Sequence, residues 1–426
     1  MKYTVEKSSL EGVIRVSASK SQTMRAILLA SMASGVSYIR HPLPSPDTEA
    51  MLAACSAFGA RITRREDGFV LAGTGGRLTA PSQVLDVGNS GQVLRFGAAM
   101  AARIPEYCVF TGDESIRSRR PMQPLLDALA CLGAFAVSSR NNGLAPVIIK
   151  GPVRPGLARM DGRDSQPVSA MLMLAAFLPG STRLEVDSPG ELPWIDLTLS
   201  WLDRLDIPHS NEKHSAYAVT GRTRVNGFQY TAPGDWSSAA FPIAAALVTN
   251  SALTLENMDI LDPQGDKAVL DLWEGLGARF SIDREAGTVR VHRHQGLQGG
   301  LLDVNAVIDA LPVLAAVACF AQSPTVITGA AIARSKESDR IAAIAGELAK
   351  MGAKIEQRED GLTVHPSALR GGVVHSRGDH RIAMALAVAG LGCGQTVVED
   401  ASCVAKSFPG FAAAMRGLGA MIRECA

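Results

Sequence analysis

The apolar and polar positions of this chain follow one pattern that recurs along its length. A helix-like segment ends in Leu-Gly-Ala or a close variant, and a stretch of alternating apolar and polar residues follows it. The copy at Arg204 lacks the glycine. The six copies begin at Ala57, Cys131, Arg204, Gly275, Lys350 and Gly417. They are spaced by roughly 70 residues, a period that indicates repeated supersecondary units.

Each copy predicts a helix followed by a β-hairpin. The glycine is expected directly after the helix, where the backbone becomes left-handed, and the alternating residues are expected to form the two strands. Gly68 and the Asn142-Gly143 pair are the expected turn residues of the first two hairpins. With the segments before each copy, a unit contains strand, helix, strand, helix and hairpin. Six such units form two lobes of three, with a break near Pro233-Gly234-Asp235.

Composition excludes several classes of protein. The chain has 426 residues, of which 47 % are apolar and 19 % charged, so it buries more than one core. Its net charge of +1 gives no bulk electrostatic argument for binding to nucleic acid or to a membrane surface. The longest apolar run, Ala310 to Ala321, is too short to span a bilayer, and no signal peptide is recognisable. We therefore expect no nucleic-acid partner and no membrane partner.

The cysteines and histidines indicate a cytoplasmic protein without a metal site. The seven cysteines are scattered and contain no C-x-x-C motif, so reduced thiols are expected. His292 and His294 lie on one face of a predicted strand, but no third ligand is near them in sequence. A solvated strand face is therefore favoured over a metal site.

Basic and small polar residues recur where loops are predicted to enter helices. A helix N-terminus offers unpaired N–H groups and a partial positive charge, and an added Lys or Arg makes an anion pocket. Lys336 and Arg340 are four apart and are expected to share a helix face. Arg120 precedes Pro121, which suits a first helical turn. The full set is Lys20, Ser21, Arg25, Gly88, Asn89, Ser90, Gly91, Arg120, Lys336, Arg340, Arg381 and Lys406. Convergence of these loops predicts a site for polyanionic ligands, with two lobes that close around them.

Two acidic residues are candidates for proton transfer. Asp309 lies between apolar stretches, so burial is expected to raise the pKa of its carboxyl and to suit it to this role. The alternative for Asp309 is that it caps a helix starting at Ala310. Glu337, beside Lys336, is the second candidate.

Six ordered motifs resemble those of the 5-enolpyruvylshikimate-3-phosphate synthase family, and the resemblance covers essentially the whole chain. The motifs are Lys20-Ser21 with Arg25, Gly88-Asn89-Ser90-Gly91, Arg120-Pro121, Lys336-Glu337-Ser338-Asp339-Arg340, Asp379-His380-Arg381 and Ala405-Lys406-Ser407-Phe408-Pro409. The resemblance implies the two-lobed α/β fold of enolpyruvyl transferases, in which each lobe has three βαβαββ repeats around buried helices, an inside-out α/β barrel. It implies one lobe over 21–232, a second over 1–20 plus 233–426, and an active site in the cleft between them. A monomer without cofactor is also implied.

The same resemblance implies a reaction and its residues. The enolpyruvyl group of phosphoenolpyruvate would pass to the 5-hydroxyl of shikimate 3-phosphate with release of phosphate, a step of the shikimate pathway towards chorismate and the aromatic amino acids. Residues implied to bind phosphoenolpyruvate are Lys20, Asn89, Gly91, Arg120, Gln166, Arg340, Arg381 and Lys406. Residues implied to bind shikimate 3-phosphate are Lys20, Ser21, Arg25, Ser165, Gln166, Asp309 and Lys336. Asp309 would take the hydroxyl proton, and Glu337 or a lysine, Lys20 or Lys406, would protonate the methylene carbon.

The chain departs from the family pattern at the implied phosphate pocket. Asp164-Ser165-Gln166 stands where the family has Ser-Ser-Gln, Glu191 aligns with a phosphate-binding serine, and Trp194 replaces a tyrosine. Two acids beside a phosphate would repel it. Either the acids point away from the pocket or the neighbouring Arg163 compensates for them.

Three alternatives remain open at this stage. The first is the same transfer to another alcohol, such as unphosphorylated shikimate, which the altered pocket favours. The second is the sister family that uses UDP-N-acetylglucosamine, but that family carries a reactive cysteine where this chain has none between Thr111 and Pro121. The third is a non-catalytic anion-binding protein, against which the retained Asp309 and Glu337 argue.

Overall fold

The computed structural model describes residues 1–222 and 224–426, and its chain forms two compact units. The first unit is Ala18–Ala232, and the second combines Met1–Ser17 with Pro233–Ala426. Each unit has a hydrophobic core of its own. The chain crosses between the units twice, from Ser17 to Ala18 and from Ala232 to Pro233, so Lys20 belongs to the first unit.

The elements are numbered in chain order. The chain begins with two strands of the second unit, β1 (Lys2–Val5) and β2 (Glu11–Arg15). The strands of the first unit are β3 (Val36–Arg40), β4 (Arg61–Arg65), β5 (Gly68–Ala72), β6 (Leu85–Asp86), β7 (Cys108–Thr111), β8 (Phe135–Ser138), β9 (Val147–Lys150), β10 (Leu157–Asp161), β11 (Gly180–Asp187), β12 (His209–Asn211), β13 (Ala216–Gly221) and β14 (Gln229–Thr231). Its helices are α1 (Lys20–Met32), α2 (Pro46–Ala57), α3 (Gly91–Ala101), α4 (Glu114–Arg119), α5 (Gln123–Cys131), α6 (Ser165–Ala175) and α7 (Leu192–Arg204).

The second unit continues after Pro233. Its strands are β15 (Ala252–Glu256), β16 (Phe280–Asp283), β17 (Thr288–Val291), β18 (Leu301–Asp303), β19 (Thr325–Thr328), β20 (Lys354–Arg358), β21 (Gly361–His365), β22 (Val373–His375), β23 (Thr396–Glu399) and β24 (Ile422–Cys425). Its α-helices are α8 (Trp236–Val248), α9 (Val269–Gly275), α10 (Leu311–Ala318), α11 (Arg340–Lys350), α12 (His380–Cys393) and α13 (Phe411–Gly417). Short 3-10 helices cover Gly265–Ala268, Asn305–Ala310, Ala331–Ser335 and Ala401–Lys406.

Six four-stranded sheets, three in each unit, are found in the described part of the chain and share one topology. Each sheet has one parallel pair of strands and two antiparallel pairs. In strand order they are β14-β3-β5-β4, β6-β7-β9-β8, β10-β11-β13-β12, β16-β17-β15-β2, β18-β19-β21-β20 and β22-β23-β1-β24. The predicted sixfold repeat, three units to a lobe, is confirmed.

The two N-terminal strands, β1 and β2, each complete a sheet of the second unit. Lys2 of β1 pairs with Cys425 of β24, and Glu11 of β2 pairs in parallel with Ala252 of β15. The last copy of the pattern therefore completes its hairpin with a strand from the opposite end of the chain. This pairing explains why the first residues belong to the second unit.

Three helices of each unit are buried over nearly their whole length: α1, α3 and α6 in the first, and α8, α10 and α12 in the second. These helices lack an extended polar face, as expected for helices surrounded by other elements. Over the described ranges, no helix combines the length and apolarity needed to cross a membrane.

The predicted turn after each repeat helix is confirmed, whereas one hairpin turn was predicted wrongly. The residue after the helix has a φ between 92° and 102° at the glycines Gly59, Gly133, Gly277, Gly352 and Gly419. Asp206, with a φ of 53°, takes this place in the copy that lacks glycine. Gly68 is the first residue of β5 rather than a turn residue. A Cβ there would lie 2.0 Å from the carbonyl oxygen of Ile39, so the close approach of β3 requires glycine.

Candidate active site

The residues implied by the motifs divide between the two units. The first unit holds Lys20, Ser21, Arg25, Asn89, Gly91, Arg120, Ser165 and Gln166. The second unit holds Asp309, Lys336, Glu337, Arg340, Arg381 and Lys406.

Three buried helices of the first unit begin at implied site residues. Helix α1 begins at Lys20, α3 at Gly91 and α6 at Ser165, each directly after a side chain that accepts a hydrogen bond from a backbone N–H of the first turn. The loop-to-helix positions predicted for Lys20 and Gly91 are therefore confirmed. Each start combines a helix N-terminus with polar side chains, as anion binding requires.

Polar contacts join the starts of α1 and α3. The ammonium of Lys20 lies 3.6 Å from Oδ2 of Asp47, and the hydroxyl of Ser90 donates to the same oxygen at 3.1 Å. Nε2 of Gln92 donates to Oγ of Ser21 at 3.2 Å. Asp47, a buried carboxylate, was missed in the sequence because it lies outside the basic motifs.

Gly91, Arg120 and Gln166 lie together around a buried arginine. Nη1 of Arg95 donates to Oε1 of Gln166 at 2.9 Å. A Cβ at Gly91 would lie 2.8 Å from Nη1 of Arg95, 3.1 Å from Oε1 of Gln166 and 3.9 Å from Cζ of Arg120. The backbone of Gly91 is thus approached closely by polar groups. Sequence reasoning missed Arg95, four residues after Gly91, because an arginine inside a helix gives no signal of burial.

Arg120 and Asn89 both lie beside α4. Arg120 follows α4, and α5 begins at Gln123 with Pro124 in its first turn, so the helix expected at Pro121 was placed too early. Asn89 donates from Nδ2 to Oγ of Ser115 at 2.8 Å, which directs its amide towards α4.

Arg25 is fully buried, and its hydrogen bonds in the described structure go to uncharged groups. Its guanidinium donates to Oγ1 of Thr198 at 2.9 Å, to the carbonyl of Trp194 at 3.1 Å, to the carbonyl of Ser21 at 3.2 Å and to Oγ of Ser169 at 3.3 Å. Burial lowers the pKa of Arg25 to about 9. A buried cation held only by neutral groups favours an anionic ligand beside it.

The two acids that depart from the family pattern have different partners. Asp164 caps α6, accepting from N–H of Gln166 at 3.0 Å, and pairs with Arg95 at 2.9 Å. Arg163 was one of two ways expected to offset the repulsion between these acids and a phosphate. In the described contacts it pairs with Asp161 instead.

Glu191 is turned towards the start of α6. It is 1 % exposed, and its Oε2 accepts from both the backbone N–H and the hydroxyl of Ser165, each at 3.1 Å. Its backbone is left-handed, with a φ of 49°, directly before α7. Glu191 thus fills hydrogen-bonding positions at a helix N-terminus.

In the second unit, Arg340 is the centre of an ion-pair network. Its guanidinium lies 2.6 Å from Oδ1 of Asp309, 2.9 Å from Oε2 of Glu337 and 2.8 Å from Oδ2 of Asp379. Nη2 of Arg381 lies 3.1 Å from the other oxygen of Asp309. Arginines from two separate motifs therefore meet at the Asp309 carboxylate.

Lys406 extends this network, and Lys336 precedes it in a loop. Nζ of Lys406 lies 2.7 Å from Oε1 of Glu337. Helix α11 begins at Arg340 after its cap Asp339, so Lys336 lies outside the helix. The prediction that Lys336 and Arg340 share a helix face was therefore wrong.

The prediction that the pKa of the Asp309 carboxyl is raised was also wrong. Burial raises its pKa, but Arg381 and Arg340 outweigh burial and hold the pKa well below its usual range. The alternative of a helix cap is excluded as well, because α10 begins at Leu311 without a side-chain cap. Asp309 is therefore an ionised carboxylate held by two guanidiniums.

Asp266 is a second buried carboxyl near Asp309, and it carries the opposite shift. Burial, followed by repulsion from Asp309, raises the pKa of Asp266 well above its usual value. The hydroxyl of Ser237 donates to Oδ2 of Asp266 at 2.8 Å, and the carbonyl of Ser237 accepts from Arg381 at 2.9 Å. Sequence reasoning missed Asp266 because no basic motif surrounds it.

Comparison with known proteins agrees with this fold. Residues 5–415 match the family described as EPSP synthase (3-phosphoshikimate 1-carboxyvinyltransferase). The 3-phosphoshikimate 1-carboxyvinyltransferase of Acetivibrio thermocellus is 41 % identical over 426 residues, covering 100 % of both chains. The enzyme of that name from Chlamydia pneumoniae is 42 % identical over 426 residues, covering 99 % of this chain and 95 % of its own.

Solved structures give the same result. An EPSP synthase from Acinetobacter baumannii superposes with a TM-score of 0.82 at 27 % identity, covering 99 % of each chain. The enolpyruvyl transferase NikO from Streptomyces tendae shares the fold, with a TM-score of 0.79 at 19 % identity and coverage of 99 % and 98 %. The expected enolpyruvyl transferase fold is confirmed. Because family, relatives and fold agree over the whole length, the chain belongs to the EPSP synthase family.

Proposed function

We propose that this chain is an enzyme, a 3-phosphoshikimate 1-carboxyvinyltransferase, which transfers the enolpyruvyl group of phosphoenolpyruvate to the 5-hydroxyl of shikimate 3-phosphate. Membership of the EPSP synthase family supports this activity. The observation that carries the proposal is the contact of Asp309 with both Arg340 and Arg381, because it joins a candidate base to two cations that bind anions.

The cations of both units are proposed to bind the two substrates. A guanidinium binds carboxylate or phosphate through two parallel hydrogen bonds, and a lysine acts as a mobile point charge. The residues assigned to phosphoenolpyruvate are Lys20, Asn89, Gly91, Arg120, Gln166, Arg340, Arg381 and Lys406. The residues assigned to shikimate 3-phosphate are Lys20, Ser21, Arg25, Ser165, Gln166, Asp309 and Lys336.

The reaction is an addition followed by an elimination. The 5-hydroxyl oxygen forms a bond to C2 of phosphoenolpyruvate while Asp309 takes the hydroxyl proton, and C3 receives a proton from Glu337 or from Lys406 paired with it. In the tetrahedral intermediate, the bond from C2 to the phosphate oxygen then breaks. Loss of a proton from C3 restores the double bond, and inorganic phosphate is released. The cations stabilise the charge that develops on the oxygens.

Substrate binding activates the base in this scheme. Arg381 and Arg340 depress the pKa of Asp309, which makes its carboxylate a weak base without substrate. Both arginines are assigned to phosphoenolpyruvate, whose negative charges offset theirs. The pKa of Asp309 therefore rises when phosphoenolpyruvate binds, and the carboxylate becomes able to take a proton.

The proposal includes a monomer in the cytoplasm. One chain supplies both sets of assigned residues, so a second copy is not needed to complete them. The unpaired thiols of Cys55, Cys108 and Cys319 are buried in the structure and fit a reducing compartment.

Phosphate release tests the function. Purified protein is mixed with phosphoenolpyruvate and shikimate 3-phosphate, and inorganic phosphate is followed over time, with shikimate as a parallel acceptor. Release that requires shikimate 3-phosphate supports the proposal. Release with shikimate alone points to another acceptor, and the absence of release with either contradicts the proposed activity.

A further inference from the structure

The start of α6 already holds an anion that belongs to the chain itself. Ser165 offers its backbone N–H and its hydroxyl at the first turn, and Oε2 of Glu191 accepts both hydrogen bonds at 3.1 Å. The Glu191 side chain is almost fully buried, so it is not a solvated charge that happens to lie near. The hydrogen bonds and the partial charge of this helix end are therefore directed at a carboxylate.

These are the groups at which the family resemblance implies an acceptor phosphate. Ser165 is assigned to shikimate 3-phosphate, and Glu191 aligns with a serine that binds its phosphate. A serine at position 191 would add a donor for a phosphate oxygen. A carboxylate has no proton to donate, takes up the donors of Ser165 and repels a second anion.

Arg25, in contrast, is a buried cation whose charge is not offset by a carboxylate within the described residues. Its guanidinium lies among hydroxyl and carbonyl oxygens, and its hydrogen bonds within the described residues involve no carboxylate. Nη2 of Arg25 reaches Ser169, one helical turn after Ser165 on α6. The chain therefore retains a cation for an anionic acceptor, while the donors at Ser165 are taken.

We propose that Glu191 is a specificity-determining residue, which occupies the place of the acceptor's phosphate at Ser165 and so weakens the preference for a phosphorylated over an unphosphorylated acceptor. This inference rests on the function proposed above. The phosphate of shikimate 3-phosphate must displace the Glu191 carboxylate before it can reach Ser165, whereas an acceptor with a hydroxyl at that place need not. The acceptors favoured by Glu191 are thus cyclic carboxylic acids that carry a hydroxyl instead of the phosphate.

The test compares wild type, Glu191→Ser and Glu191→Gln. Serine removes the carboxylate and supplies a hydroxyl, whereas glutamine keeps the shape and removes only the charge. For each protein, the Kd values of shikimate 3-phosphate and shikimate are measured by calorimetry, and kcat/KM is measured for both with saturating phosphoenolpyruvate. Glu185→Ser, which removes a half-buried carboxylate of β11 in the same unit, controls for the general loss of one negative charge.

Glu191→Ser should raise the ratio of kcat/KM for shikimate 3-phosphate over shikimate at least tenfold. The change should come mainly from a lower KM for shikimate 3-phosphate, with the KM for phosphoenolpyruvate unchanged. Glu191→Gln should shift the ratio in the same direction by a smaller factor, and Glu185→Ser should leave it unchanged. A ratio that stays constant or falls in both Glu191 variants overturns the proposal.

The binding measurements keep this inference separate from the proposed reaction. If neither acceptor is turned over by any variant, the proposed function fails, but the Kd ratio still decides the role of Glu191. Tighter binding of shikimate 3-phosphate in the variants, without a change for shikimate, supports the inference, and equal Kd ratios overturn it. If Glu191→Ser does not fold, the isosteric Glu191→Gln decides alone.

Discussion

Asp309 and Arg381 are 72 residues apart in sequence, yet Nη2 of Arg381 donates to Oδ2 of Asp309 at 3.1 Å. Arg340 holds the other carboxylate oxygen at 2.6 Å. Both oxygens of the candidate base are therefore fixed, and the base is coupled to the cations assigned to phosphoenolpyruvate. Binding of an anion to these arginines and proton uptake by Asp309 become linked events.

Replacement of Asp309 by asparagine separates binding from chemistry. The amide keeps the size of the side chain but cannot take the hydroxyl proton, so kcat should fall by about 100-fold or more. The Kd for phosphoenolpyruvate, measured by calorimetry, should change little, because Arg340 and Arg381 remain. Asp271→Asn, an exposed position on α9, is the matched control. An unchanged kcat in Asp309→Asn would remove this residue from catalysis.

Glu337→Gln tests the proton delivered to the methylene carbon. One carboxylate oxygen of Glu337 lies 2.7 Å from Lys406 and the other lies 2.9 Å from Arg340, so an amide there keeps one acceptor oxygen and loses the acid. We expect kcat to fall by about 100-fold, with slower incorporation of solvent deuterium at C3 of the enolpyruvyl group. Glu356→Gln, on the exposed strand β20, should behave as wild type. Deuterium incorporation at the wild-type rate would assign the acid to another group.

Gly91→Ala tests the close approach at the start of α3. The new Cβ would lie 2.8 Å from Nη1 of Arg95, which cannot move easily because it also holds Gln166. The KM for phosphoenolpyruvate should rise about tenfold or more, with a smaller change for the acceptor. Gly346→Ala on α11, where an added Cβ would meet no atom within 4 Å apart from its chain neighbours and the helix's own backbone, is the control and should be neutral. Equal effects on both substrates would mean that Gly91 does not border the phosphoenolpyruvate site.

Asp266→Asn should stabilise the protein at neutral pH. Because the folded-state pKa of Asp266 is raised, the folded chain binds a proton that the unfolded chain releases above about pH 4. The wild-type protein therefore loses stability as the pH rises from about 4 towards the folded-state pKa of Asp266. The asparagine variant has no proton to lose at this position and does not show the loss. Urea unfolding should show a gain of about 1–2 kcal/mol for the variant at pH 7–8 that disappears near pH 4. A difference independent of pH would show that the folded-state pKa of Asp266 is not raised.

The repeat was predictable from sequence because it depends on local geometry. A glycine after each helix and an alternating strand pattern are short-range signals, and the left-handed residues at Gly59 and Gly133 lie where the pattern puts them. The weak copy kept the same geometry through Asp206, since aspartate tolerates positive φ better than most residues. The pairing of β1 with β24 joins the two ends of the chain and left no such signal.

The basic motifs of the second unit could be picked out from the sequence, but the electrostatics of the acids that contact them could not. The pKa direction of Asp309 depends on Arg340 and Arg381, which lie 31 and 72 residues away, so its apolar neighbours in sequence suggested the wrong sign. Lys336 was placed on a helix because the capping role of Asp339, which starts α11 at the next residue, was not recognised. The partners of buried charges are long-range contacts, and one sequence does not contain them.

Identification of the product tests the central claim most directly. The protein is incubated with phosphoenolpyruvate and shikimate 3-phosphate, and the mixture is analysed by mass spectrometry and by proton and phosphorus NMR. The account predicts an enolpyruvyl ether at the 5-hydroxyl of shikimate 3-phosphate, formed in equal amount with inorganic phosphate. Phosphate released without this ether, or an ether formed at another hydroxyl, would contradict it.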